Sequence, residues 1–109
     1  MTIANALNEL SIGLVSIFGS LINSIILYGS VARGTNGEDS DIDIALIMNS
    51  AGTSEMHAEM LDLIVDLELS CGKMLSVVQI DQKRFAEWHN LLPFYMNIQK
   101  EGVVLWQAA

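Results

Sequence analysis

The apolar residues of this chain change their spacing after about twenty positions, and that change limits the folds open to it. Ile3, Leu7, Leu10, Leu14, Ile17, Phe18 and Leu21 recur every three or four residues, the pattern of one helix face. Gly19 is placed to break the helix near its end. The next run, "SIILY" from Ser24 to Tyr28, is continuous, β-branched and aromatic, and too short for a helix. It stops at Gly29, which predicts a buried strand feeding a tight turn. After a loop rich in Gly, Asn, Glu and Asp, "DIDIALIM" from Asp41 predicts a second strand. Met56, Met60, Leu63, Ile64 and Leu67 then return to helical spacing, with Glu55, Glu59, Asp62 and Asp66 opposite them and Gly72 as the stop. "MLSVVQID" reads as a third strand, "QKRFAEWHNLL" as weakly helical, Pro93 as a helix start, and "GVVLW" as a short final strand. The order α-β-turn-β-α-β-α-β predicts an α/β or α+β domain, a small mixed sheet with helices packed on it.

Size and charge narrow the function. With 109 residues, half of them apolar, residues 1–109 are expected to form one domain with its own core. Thirteen acids face five bases, for a net charge of −8, which excludes a broad phosphate-backbone footprint on nucleic acid. Cys71, the single cysteine, cannot form an intrachain disulfide, and no secretory pattern opens the chain, so a cytoplasmic location is expected. Leu10 to Ala32 carries no formal charge and approaches bilayer-spanning length. Ser11, Ser16, Ser20, Asn23 and Ser24 interrupt it, Gly19 and Gly29 punctuate it, and no basic cluster flanks it, which argues against a membrane span.

Asp41 and Asp43 are the unusual residues. Alternation puts both on one side of a strand, and aspartate is depleted in strands. Solvated carboxylates on an exposed strand would explain them, but the turn before them adds a second feature. Gly29 permits close backbone approach, and Ser30 can cap a helix while offering its hydroxyl and nearby N–H groups to an anion. Neighbouring carboxylates repel each other, a divalent cation relieves that repulsion, and oxygen ligands of this kind suit Mg²⁺ together with substrate phosphates. The residues thus pair half a metal site with a phosphate cradle.

"GSVARG" followed by "DSDID" matches a Gly-Ser, ten-residue spacer, Asp-x-Asp signature, with Val31 to Ser40 as the spacer. From average residue frequencies, a chance match in a chain this long arises about once in a thousand. The chain resembles the minimal nucleotidyltransferase (MNT) domains of the DNA polymerase beta nucleotidyltransferase superfamily, from about Ser24 to the closing "IQKEGVVLW". The resemblance implies binding of a nucleoside triphosphate by Gly29 and Ser30, with Arg33 nearby to meet a phosphate or a carboxylate. It implies Asp41 and Asp43 as catalytic ligands of Mg²⁺ for transfer of a nucleoside monophosphate, AMP from ATP, to a hydroxyl. It also implies a setting: MNT domains are often antitoxins paired with a HEPN toxin, and some transfer AMP to a tyrosine of that toxin. Neutralisation by binding alone, and transfer to RNA or a small molecule, are the alternatives, and self-association stays open.

One departure from the family pattern is visible. Many relatives carry a third carboxylate on the next strand; here that slot falls at Ser76 or its neighbour, where there is no acid. Asp81 is the nearest candidate, and its place just past the strand predicts a helix cap instead. The remaining conspicuous residues read as structural. His57 and His89 lack partners at ligand spacing, Cys71 is expected to pack, and the acidic helix stripe to face water or a basic partner. Trp88, Phe94, Tyr95 and Trp106 are expected to form a core seam.

Overall fold

The computed structural model describes residues 1–37 and 40–109. Helix α1 (Ile3–Phe18) begins where Thr2 accepts a hydrogen bond from the Asn5 N–H and ends at Gly19. Its stripe of Ala6, Leu10, Leu14 and Phe18 is buried, as the spacing requires. A 3-10 turn (Gly19–Leu21) leads into strand β1 (Ile22–Tyr28). The short helix α2 (Gly29–Arg33) follows directly, where the sequence predicts only a turn. Strand β2 (Ile42–Met48), helix α3 (Ser54–Cys71) and strand β3 (Leu75–Asp81) come next. Gly72 ends α3 in the left-handed conformation expected of a terminal glycine. Helices α4 (Gln82–Trp88) and α5 (Pro93–Glu101) precede strand β4 (Val103–Gln107).

The four strands form one mixed sheet in the order β3-β2-β1-β4. β1 lies antiparallel to both β2 and β4, and β2 runs parallel to β3. Parallel neighbours need a crossover, and α3 supplies it. Side chains alternate across the sheet, so each face has its own core. On one, Ile25, Leu27, Ile42, Ile44, Leu46 and Met48 pack with the buried stripe of α1 and with Met60 and Leu67 of α3. On the other, Ile26, Ala45, Ile47 and Ile80 pack with Ile98 of α5 and with Phe85 of α4.

This arrangement divides the uncharged stretch Leu10–Ala32 among α1, the 3-10 turn, β1 and α2. The segment Ile3–Leu21 is long and apolar enough to cross a membrane, but its stripe is spent on the protein's own core. The late aromatic residues correct the expectation of a single seam. Trp106 packs on the α1 face and Tyr95 on the opposite core, while Trp88 and Phe94 remain exposed. The sheet lies between Trp106 and Tyr95, with Trp106 packed on one core and Tyr95 on the other.

Candidate active site at the end of strands β1 and β2

The antiparallel pairing sets Tyr28, the last residue of β1, opposite Asp43, the second residue of β2. The turn that follows β1 therefore sits over the carboxylates. Gly29 opens α2 with φ 78°, a conformation that side-chain-bearing residues rarely adopt. A Cβ placed on Gly29 would collide with Oδ2 of Asp43. Glycine is thus favoured by its backbone angle, and a side chain here would also push the Asp43 carboxylate aside.

Ser30 follows within the first turn of α2. The cap position belongs to Tyr28, which makes no side-chain capping bond, so Ser30 does not cap the helix as its residue type predicts. Among the described residues the Ser30 hydroxyl makes no hydrogen bond, and the first N–H groups of a helix have no partner within it. Gly34 closes this short helix by donating to the carbonyls of Ser30 and Val31.

Asp41 stands one residue ahead of β2 and is exposed, whereas Asp43 is half-buried. Burial and the charge of Asp41 both push the Asp43 carboxyl above its ordinary value, and Arg33 opposes them. The Tyr28 hydroxyl is likewise raised, by burial and by the charge of Asp43. Burial first and neighbouring carboxylate charge second thus disfavour the ionised forms here, and a bound cation would offset the second of these. Arg33 is engaged elsewhere: its Nη1 donates to Oε2 of Glu101 at 3.0 Å, joining α2 to α5 across an exposed pair. Among the described residues no cluster of three His, Cys, Asp or Glu side chains is placed to hold a metal, and Asp41 and Asp43 are the two carboxylates that these residues bring to the corner. They fit a hard cation that takes its other oxygens from water and phosphate.

On the neighbouring strand, the slot at which the resemblance implies a third acid, Ser76 or its neighbour, falls beside Asp43. Ser76 of β3 is the register partner of Asp43, and parallel partners share a face. Asp81 lies five residues further along β3, roughly 16 Å away at strand rise, beside Met48. There it accepts a hydrogen bond from the Arg84 N–H and caps α4, as its position predicts. The other conspicuous side chains also keep structural roles. His57 bonds the Ala51 carbonyl through Nε2 at 2.9 Å and meets Phe18 edge to face. His89 Nδ1 bonds carbonyls of its own helix end, and Cys71 donates to the Lys73 carbonyl. Glu38 and Asp39 of the spacer lie outside the described residues.

Gly29, Ser30, Arg33, Asp41 and Asp43 thus gather at one corner, and two aromatic residues that the sequence did not single out as site residues join them. Tyr28 contacts Phe94 of α5 edge to face, with ring centroids 5.6 Å apart. The position of Tyr28 directly before the glycine was a legible signal; the approach of Phe94, 66 residues later in the chain, was not.

Comparison with known proteins bears on the family and the fold. The family model "Polymerase beta, Nucleotidyltransferase" matches residues 20–108. A Methanocaldococcus jannaschii protein that carries the name protein adenylyltransferase is 33% identical over 101 residues, which is 93% of this chain and 95% of that one. Among solved structures, a nucleotidyltransferase from Sulfolobus solfataricus superposes with a TM-score of 0.57 at 17% identity, over 94% of this chain and 78% of that one. A toxin–antitoxin structure with AMP-PNP gives a TM-score of 0.56 at 20% identity, over 93% and 73% of the two chains. At such identities the structural likeness speaks for the fold, which is nucleotidyltransferase-like. The family model covers most of the chain and the archaeal relative nearly all of it, so this chain belongs to the Polymerase beta nucleotidyltransferase family.

Proposed function

We propose that the chain is a Mg²⁺-dependent adenylyltransferase that moves AMP from ATP to a hydroxyl of a partner HEPN-type toxin, and that it acts as the antitoxin of that pair in the cytoplasm. The observation that carries the reading is the contact between turn and carboxylate, with the Gly29 backbone pressed against Asp43. Phosphates held by the N–H groups of α2 and the Ser30 hydroxyl are then within reach of both aspartates. The adenylyltransferase name of the 33% identical relative supports AMP as the group moved. The likeness to a toxin–antitoxin structure with AMP-PNP supports the setting.

Each residue has a part in the transfer. Gly29 lets the triphosphate approach the backbone, and Ser30 donates to a phosphate oxygen. Asp41 and Asp43 would hold Mg²⁺, which when bound offsets the charge that grows on the phosphoryl and departing oxygens. Arg33 is in an exposed ion pair, and such pairs hold weakly, so it is free to turn from Glu101 to a phosphate. The acceptor oxygen forms a bond to the α-phosphorus, pyrophosphate leaves, and the hydroxyl proton passes to a carboxylate.

Ser76 favours a second reading. With no acid beside Asp43 on β3, binding of a second metal is weakened, and neutralisation of the partner by binding alone becomes the alternative. Incubation with the partner toxin, ATP and Mg²⁺, followed by mass spectrometry, separates the two. An AMP-sized increase on the toxin is expected, absent with Asp41→Asn. If that variant silences the toxin as well as the parent does, with no added mass in either case, binding alone replaces catalysis.

A further inference from the structure

Phe94 is a large apolar side chain left 43% exposed in the first turn of α5. Its position is fixed from several sides. Pro93 sets the start of the helix, and Tyr95 follows with its ring 5.8 Å from that of Phe94. Tyr95 in turn meets Phe85, 5.6 Å away, and both pack against the buried core of that face. A row of rings therefore runs from the core to the rim. It ends where Phe94 meets Tyr28, the residue that immediately precedes Gly29 and lies opposite Asp43. The other end of α5 is tied to α2 through Glu101 and Arg33. An exposed, braced aromatic surface thus borders both the phosphate turn and the carboxylates.

Resting on the donor-site reading above, we propose that Phe94, backed by Tyr28, is the platform on which the base of the bound nucleoside triphosphate stacks. An exposed ring gains by covering its face with another flat ring, and every nucleobase has one to offer. Rings sense the area of a base more than the groups along its edge. The platform therefore favours purines over pyrimidines and separates ATP from GTP poorly. The exposed Trp88, Leu91 and Leu92 on the same connection admit a protein contact at Phe94 as the competing role.

Calorimetric titration in Mg²⁺ tests the platform, with ATP, GTP, UTP and inorganic tripolyphosphate as probes. The unmodified chain is expected to bind ATP and GTP alike, and each about fivefold or more tighter than tripolyphosphate, with UTP between. Phe94→Ala and Phe94→Leu are expected to lose that gain while binding tripolyphosphate as before. Phe94→Leu retains apolar packing against Tyr28, so a melting temperature close to the parent's shows that the fold is kept. The platform is overturned if ATP binds no tighter than tripolyphosphate, if both variants keep the gain, or if they weaken all four probes equally. The last two results assign Phe94 to protein contact or to shaping the turn. Absence of binding by all four probes to the unmodified chain removes the donor site itself, and the platform with it.

Discussion

At the scale of single residues, Asp43 concentrates the tension in the site. It is half-buried, it faces the charge of Asp41, and its Oδ2 lies where a Cβ on Gly29 would stand. Its carboxyl is raised above the ordinary value, first by burial and then by Asp41. A raised folded-state value means that the folded chain holds this proton more firmly than the unfolded chain. The stabilising contribution is complete below the ordinary carboxylate range and is lost as pH rises through the raised value. At neutral pH the ionised side chain therefore costs stability. Asp43→Asn is expected to raise the melting temperature at pH 7 in the absence of metal, with the gain shrinking toward zero as pH falls below the usual carboxylate range. Mg²⁺ should then raise the melting temperature of the parent and leave the variant nearly unchanged. Thermal unfolding with and without Mg²⁺ checks both parts, and an equal Mg²⁺ response in the two proteins would count against Asp43 as a ligand.

At the scale of elements, two helix starts use different devices and serve different ends. α4 is capped by Asp81, whose side chain accepts from the Arg84 N–H. α2 starts on Tyr28 with no side-chain cap, leaving its first N–H groups for another acceptor. The first device stabilises the fold, and the second leaves α2 open to the phosphates of the proposed donor. Asp81→Ala is expected to cost about 1 kcal/mol of stability, the usual price of an N-cap. Affinity for ATP and Mg²⁺ should not change, because Asp81 lies at the far end of β3 from Asp43. Chemical denaturation and nucleotide titration together check this. A large fall in Mg²⁺-dependent binding would return Asp81 to the list of metal ligands.

At the scale of the whole molecule, the net charge of −8 is unevenly used. Arg33 pairs with Glu101, while Glu55, Glu59, Asp62 and Asp66 line the outward side of α3, a helix with no Lys or Arg in it. Leu61, Val65 and Leu69 are exposed on the same helix. A partner that meets this surface is expected to be basic, with association steered by charge. The association rate with the proposed partner toxin should therefore fall as salt rises from low to physiological concentration, while dissociation changes less. Stopped-flow mixing at several ionic strengths measures this, and a rate indifferent to salt would rule out charge steering. The two sheet faces also separate tasks. Asp43 lies on the face covered by α4 and α5, whereas α3 covers the other.

Several features were already determined by the sequence. Period and punctuation fix α1, α3 and all four strands within a residue or two, because burial of an apolar face depends on local spacing and glycine stops depend on backbone freedom. The Gly-Ser turn and the two aspartates were legible for the same reason: their chemistry lies in residue type and in a short, fixed spacing. Helix α2 was not legible, since five residues carry too little periodicity to distinguish a helical turn from a loop. Neither the strand order nor the fate of the late aromatic residues could be read, because the sheet separates Trp106 from Tyr95 although only eleven positions part them. The tertiary structure alone set Tyr28 and Ser76 on either side of Asp43, sent Asp81 to the far end of β3, and brought Phe94 to the rim of the site. Those relations depend on register between strands and on helix packing, which are set by the whole core and leave no mark at any one position in the chain.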